Sequence, residues 1–231
     1  MIYKVSDFPS LSYSNYLTFN IKCLFEGLKH GAIAPDLWIK GEKDIEALIL
    51  GYGGTSYLAH FKGDTEEIEA FLKTLSFKRI ISDKPFSFTH IKEESNVYKK
   101  VVENKALPFP EIPPLSVLYE KLGYGSGSDI SLPSFADFAP DISHLLRHGF
   151  AFSVCEEYGA ALVFTDKEIG ILKGISVKSS LRCRGLGSIL LSHCLDLCPK
   201  GLFAATKLSG DFYLKNGFEK EPYNIYFGEL K

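Results

Sequence analysis

Residues 171–198, ILKGISVKSSLRCRGLGSILLSHCLDLC, constrain this chain more than any other stretch. Ile171, Leu172, Ile175 and Val177 form an apolar strand, and Ser179 and Ser180 break it. Arg182, Arg184, Gly185 and Gly187 then lead into a helix carrying Leu186, Ile189, Leu190, Leu191, Cys194 and Leu195. A helix that begins this way leaves backbone N–H groups unpaired at its positive end, and glycines remove the side chains that would keep a ligand off the backbone. The junction reads as a phosphate cradle. Between Glu168 and Asp196 there is no Asp or Glu, whereas Lys173, Lys178, Arg182 and Arg184 all fall there. A chain of net charge −2 is thus locally positive where an anion would sit.

The glycines occur as Arg182-x-x-Gly185-x-Gly187, starting five residues after Val177. With that spacing the stretch resembles the pyrophosphate loop of the GNAT superfamily, the acyl-CoA-dependent N-acetyltransferases. A second stretch, Phe212-Tyr213-Leu214-Lys215-Asn216-Gly217-Phe218, resembles the F-Y-x-K-x-G-F signature that closes GNAT domains. Read locally, Gly217 is a left-handed residue ending a helix and Phe218 starts a buried strand. Tyr213 lies 26 residues after Gly187, the length a helix, a strand and a short helix need to return beside the loop. From Val97 onward the patterns give strand, two helices, three strands, helix, strand, helix, strand, which is the element order of the GNAT fold. The resemblance covers about 135 residues, from Val97 to the C-terminus, and is most specific from Ile175 to Phe218.

The resemblance implies an α/β fold: a GNAT-like mixed, mostly antiparallel central sheet flanked by helices, preceded by a smaller α/β domain, with domains at 1–92 and 93–231. It implies acetyl-CoA as co-substrate and no metal. The N–H groups of Cys183, Arg184, Gly185, Leu186, Gly187 and Ser188 would take the pyrophosphate, with Arg182 and Arg184 adding charge. Main-chain groups of Ile175, Ser176 and Val177 would pair with the pantetheine arm, a free N–H among them serving as oxyanion donor. Tyr213 would protonate the departing thiolate; its alternative is a core tyrosine with a satisfied hydroxyl. Thr206 stands seven residues before Tyr213, where the family often has an Asn that touches CoA, so that contact is changed or lost.

An attacking amine must be neutral. Candidate bases are Glu156 or Glu157 at a hairpin and His144 or His148 on the preceding helix, acting directly or through water. Many relatives carry a carboxylate on the strand before the loop, and here that strand offers only Lys173 as an ionisable residue. The implied reaction is transfer of an acetyl group from acetyl-CoA to a primary amine of a small molecule or peptide, by direct attack in a ternary complex. The alternative is a catalytically inactive CoA-binding or interaction module. His144 and His148 share a helical face at metal-ligand spacing, but no third ligand is suggested.

At 231 residues, 45% hydrophobic and 23% charged, the chain suits two small globular domains or one with an extension. Its charge balance argues against a nucleic-acid or membrane surface as partner. No apolar run approaches a membrane span and the start, MIYKVSDFPS, lacks the apolar core of a signal peptide, so the expected location is cytoplasmic. The five cysteines are odd in number and show no C-x-x-C pair; Cys194 and Cys198, one turn apart on an apolar face, read as buried thiols.

The first half gives a helix over Tyr16–Leu28 and strands over Asp44–Leu50 and Ser56–Phe61 around a glycine turn. A helix N-capped by Asp64 and a strand over Phe77–Ser82 follow. Strand, strand, helix, strand repeats the order around the glycine loop downstream. The segment is either a second, degenerate copy of the same fold or an unrelated α/β domain. Either way Asp64, Glu66 and Glu67 suit the helix dipole themselves and would repel a pyrophosphate. The polar residues from Asp83 to Asn96 read as the boundary, and Gly123–Ser128 as a connection.

Overall fold

The computed structural model describes all residues except 12–14, 32, 42–43, 106, 124–132, 209 and 231. Most of the Gly123–Ser128 connection, 124–128, lies outside the described residues. The chain forms two compact units: Met1–Val97 with Glu221–Lys231, and Tyr98–Lys220.

In the first unit the order is β1 (Ile2–Val5), α1 (Tyr16–Leu28), β2 (Asp36–Lys40), β3 (Ala47–Tyr52), β4 (Thr55–His60), α2 (Glu66–Thr74) and β5 (Arg79–Ser82). Strands β1 to β4 run as antiparallel neighbours, and β5 returns parallel to β4 through α2. Most of β6 (Thr89–Val101) and of β11 (Glu219–Leu230) belongs here, and β11 pairs antiparallel with β5. Helix α1 starts where Asn15 accepts the amide of Thr18 at 2.8 Å, and it buries Leu17, Ile21, Phe25 and Leu28. Helix α2 has Thr65 rather than Asp64 as its first cap residue; the Asp64 carboxylate instead accepts the amide of Glu66 at 2.9 Å. Trp38, Ile49, Leu58, Ile68, Leu72 and Phe86 belong to one core.

In the second unit the end of β6 precedes α3 (Leu115–Leu122), α4 (Phe135–Arg147), β7 (Ala151–Glu156), β8 (Gly159–Thr165), β9 (Ile169–Val177), α5 (Leu186–Asp196), β10 (Gly201–Thr206) and α6 (Asp211–Lys215). The sheet order is β6-β10-β9-β8-β7. Strands β7, β8 and β9 form an antiparallel meander, and β10 returns parallel to β9 through α5. Meander, helix, parallel strand is therefore the plan of both units, each a mostly antiparallel sheet with helices packed on it. One side of the second sheet carries Phe152, Val154, Val163 and Leu172 against Leu190, Leu191, Cys194 and Leu195 of α5 and Tyr213 of α6.

The expected order of elements is present from β6 to β11, with one correction. The residues read as a polar boundary are strand: β6 runs unbroken from Thr89, so the expected division at 92/93 falls inside it. Along His90–Asn96 the side chains are mostly exposed, which is why the sequence looks like a linker there. Strand β6 pairs with β10 rather than with β7. Pro108, Pro110, Pro113 and Pro114 lie beside β7 instead, where missing N–H groups prevent a ladder.

Candidate active site

The parallel ladder of β9 and β10 runs from Ile169↔Gly201 only to Leu172↔Ala204. Past that point Gly174–Val177 and Ala205–Thr206 are unpaired with each other, so the two strands part and leave a gap. A bulge sits at the parting, because Leu162 opposes Gly174 and Val163 opposes Leu172, with Lys173 as the extra residue. Bulges re-aim the strand that carries them. The Lys173 ammonium lies over the ring of Phe164, 5.1 Å from its centroid. Ile175 and Val177 pack on the α5 and α6 core. Ser176 points to the opposite face, and its buried Oγ has no hydrogen-bond partner among the described residues.

Beyond β9 the chain makes a short turn and enters α5. Arg182 donates from Nε to the carbonyl of Val177 at 3.1 Å, so this arginine braces the loop besides charging it. Cys183 is left-handed at φ 60°, an uncommon state for a residue with a Cβ, and Gly185 follows at φ 79°. The N–H groups of Cys183, Arg184, Gly185, Leu186 and Gly187 have no partner among the described residues. The amide of Ser188 is already spent on the carbonyl of Gly185 at 3.0 Å. Five of the six expected amides are thus open, at the positive end of an 11-residue helix.

The two glycines have different causes. A Cβ on Gly185 would meet nothing within 4 Å, so the left-handed turn requires glycine and its outer side is open space. A Cβ on Gly187 would come to 3.2 Å from the Phe212 ring and 3.9 Å from Val177, so this glycine lets α6 approach α5.

Helix α6 brings Tyr213 into the core beside Ile175, Val177 and Leu190. It ends as the sequence suggests, with Gly217 at φ 77° donating to Leu214 and Phe218 donating to Tyr213. Two residues that sequence reasoning missed hold this helix. Tyr98 stacks on Tyr213 at 5.5 Å between centroids, and Lys100 donates from Nζ to the carbonyl of Asn216 at 2.7 Å. Both lie on β6, two apart and hence on one face, which is the signal that could have found them. Gly210 is obligatory here, since a Cβ there would fall 1.8 Å from the Tyr98 hydroxyl. Thr206, the residue in place of the expected Asn, is buried and accepts the amide of Leu208 at 3.1 Å.

Glu156 faces Gly159 across the hairpin, and Gly159 faces Val177, so this carboxylate shares a row with the end of β9. Burial first, and the Glu156 charge second, raise the pKa of the neighbouring Tyr158. Glu157 is exposed at the turn. His144 and His148 stack 4.2 Å apart at the end of α4, a helix that packs on β7 and α3 rather than on α5 or α6. Among the described residues no group of three His, Cys, Asp or Glu side chains is placed to hold a metal. Cys194 and Cys198 are free and buried; burial pushes both thiols up, Cys198 to about 12.

The first unit has the same parting of parallel strands, with its own side chains bonded across the start of it. The β4–β5 ladder ends at Leu58↔Ser82, and there Asp83 accepts the amide of His60 at 3.0 Å. Before α2 the buried ammonium of Lys40 donates to the carbonyl of Asp64, with Glu46 at 3.5 Å and Glu67 at 3.8 Å. Acids and an internal cation occupy the position where α5 offers open amides.

No protein-family model and no curated protein matches the sequence. Solved structures do match. A GCN5-related N-acetyltransferase from Kribbella flavida is 12% identical, with 91% of this chain and 94% of that one covered and a TM-score of 0.55. Another from Sphaerobacter thermophilus is 11% identical over 84% and 79%, with a TM-score of 0.53. The N-myristoyltransferase of Saccharomyces cerevisiae, solved with bound myristoyl-CoA, is 10% identical over 90% and 70%, also at 0.53. At such identities the likeness establishes the fold. Among the described residues no helix is long and apolar enough to cross a membrane.

Proposed function

We propose, for a chain that carries the fold of the GCN5-related N-acetyltransferases, that the second unit binds acetyl-CoA and transfers its acetyl group to a primary amine. The observation that carries this reading is the set of open amides from Cys183 to Gly187 beside the β9–β10 gap. The residues present fit the donor. Amides at a positive helix end suit a diphosphate, and no carboxylate from residue 169 to 195 opposes it. The free edge of β9 at Ile175, Ser176 and Val177 can pair with an amide-bearing arm, and the orphaned Ser176 hydroxyl marks a polar group awaiting a partner.

In this reading Arg182 and Arg184 neutralise the phosphates, Arg182 while bracing the loop. Tyr213, held by Tyr98, gives its proton to the departing thiolate. Glu156 takes the proton of the attacking ammonium, directly or through water. The acceptor, small amine or peptide, is a matter for assay, and the fold's occurrence in a myristoyl-CoA enzyme makes the acyl length one too. The first unit, with its repeated plan and self-filled junction, is read as a degenerate copy that does not hold CoA.

A second reading, a CoA-binding module without turnover, draws on β9, whose only ionisable side chain is Lys173, and on Thr206, whose hydroxyl is engaged in its own turn. Calorimetric titration with acetyl-CoA beside a thiol-release assay over an amine panel separates the two. Binding with release on at least one amine is expected; binding with release on none favours the module, and absence of binding refutes both.

A further inference from the structure

At the amino ends of the parallel β4–β5 pair, α2 stops and the chain passes through residues 75–78 into β5. There the amides of Lys78 and Arg79 donate to the carbonyl of Gly54, in the β3–β4 turn, at 3.3 and 3.4 Å. Beside this crossing lies a cavity of about 830 Å³, a volume in the range of small-molecule sites. All of its lining residues belong to the first unit. Leu75 and Phe77 are half-buried and give it an apolar wall, backed by the core residues Leu72 and Phe88. The rings are fixed by their neighbours. A Cβ on Gly51 would fall 2.1 Å from the Phe77 ring, so that ring rests on bare backbone, and Trp38 meets it edge-on at 6.4 Å between centroids. Phe88 packs on Phe86 at 5.1 Å. Side chains anchored in this way leave a preformed cavity rather than one that closes on itself, which lowers the ordering cost of a ligand.

The charges around the cavity do not cancel. Glu69 pairs with Lys73 at 2.7 Å. Glu229 stands opposite Arg79 in the β5–β11 ladder but gives its carboxylate to Lys92 at 3.3 Å. Arg79 spends one guanidinium N–H on the Gly53 carbonyl at 3.3 Å, and neither it nor Lys78 has a carboxylate within ion-pair distance among the described residues. The negative end of α2 is partly covered, because the Thr74 hydroxyl donates to the carbonyl of Phe71 at 2.7 Å and the Leu75 amide to that of Leu72 at 3.1 Å. The cavity therefore joins an apolar wall to two cations that lack an anion.

We propose that this cavity is a second small-molecule site, which takes a carboxylic acid with an apolar body, the carboxylate on Arg79 and Lys78 and the body on Phe77 and Leu75. A guanidinium is weakly hydrated and presents its N–H groups as a planar fork that matches a carboxylate, so Arg79 is the main anchor and Lys78 adds charge. Neither half of such a ligand suffices alone. An exposed ion pair contributes little by itself, and an apolar contact without a polar anchor has no fixed orientation.

The site uses only the first unit and stands whether or not the second transfers acyl groups. Its test is calorimetric titration of the full chain, without acetyl-CoA, with octanoate, decanoate, phenylacetate and indole-3-acetate, each beside its neutral amide, and with acetate as the head group alone. At least one of these acids is expected to bind, with its amide and acetate at least about tenfold weaker. Arg79→Gln, at an exposed position, is expected to weaken binding about tenfold or more while the melting temperature stays within about 2 °C of the parent's. Lys78→Gln, in the segment before β5, is expected to weaken it roughly threefold. Absence of binding by all of the larger acids at millimolar concentration overturns the proposal. So does equal binding of the amide or of acetate, or unchanged affinity in Arg79→Gln.

Discussion

Gly185→Ala separates the two roles a glycine can play before α5. The residue is left-handed at φ 79°, so an alanine there carries strain of about 1 kcal/mol, and no neighbouring atom adds a clash. For a folding unit of this size that strain lowers the melting temperature by about 3 °C. The new methyl group would also stand in open space in the middle of the run of open amides from Cys183 to Gly187. If a diphosphate sits there, at least one charge-assisted hydrogen bond is lost, worth about 1.5–3 kcal/mol, or roughly ten- to a hundredfold in affinity. Thermal melting and calorimetric titration with acetyl-CoA, run on the same preparation, measure both effects. A variant that melts about 3 °C lower yet binds within about twofold of the parent would show that the glycine serves the turn alone and would refute the seat.

Tyr213→Phe is expected to lower kcat by about a hundredfold or more while leaving acetyl-CoA affinity intact; unchanged kcat would reduce Tyr213 to a core residue stacked on Tyr98. Iodoacetamide is expected to label exposed Cys183 quickly and buried Cys194 and Cys198 only after unfolding, with CoA protecting Cys183; labelling of Cys183 at the same rate with and without CoA contradicts its place in the cradle. Acidification tests His60. Its folded pKa lies below the ordinary 6.5, so as pH falls through that value the unfolded chain gains a proton the folded chain does not, and stability drops. Asp83, raised above its ordinary 3.8, acts with the opposite sign in its own range, above 3.8, where the folded state takes up the proton first. Urea unfolding of the parent and of His60→Gln between pH 7 and 6 should show a steeper loss in the parent; parallel curves would mean that His60 is not held neutral.

Several elements of both units were legible because their signals are local. Leu115–Leu122 and Tyr16–Leu28 are bounded by proline, asparagine and glycine, and their apolar faces repeat at helical spacing. The glycine loop and the Phe212–Phe218 stretch announce their turns in the same way. What escaped was set by partners distant in sequence. Residues His90–Asn96 carry no apolar alternation, so only pairing with other strands makes them β6. The short strands β1 and β2 were passed over for want of length, although Leu37, Trp38 and Ile39 are core residues. Tyr98 and Tyr213 stand 115 positions apart, and no spacing rule links them. Likewise Asp83 and His60 meet only where β4 and β5 part. Even Gly187, which the sequence offers only as a loop glycine, lets Phe212 of another helix come close.

The most direct measurement is the shift of backbone amide resonances as acetyl-CoA is added to the isotopically labelled chain. The account predicts large shifts at Cys183, Arg184, Gly185, Leu186 and Gly187, with the Glu66 and Glu67 amides at the start of α2 unmoved. Shifts confined elsewhere, or amides at 183–187 that do not respond while the ligand binds, would contradict it.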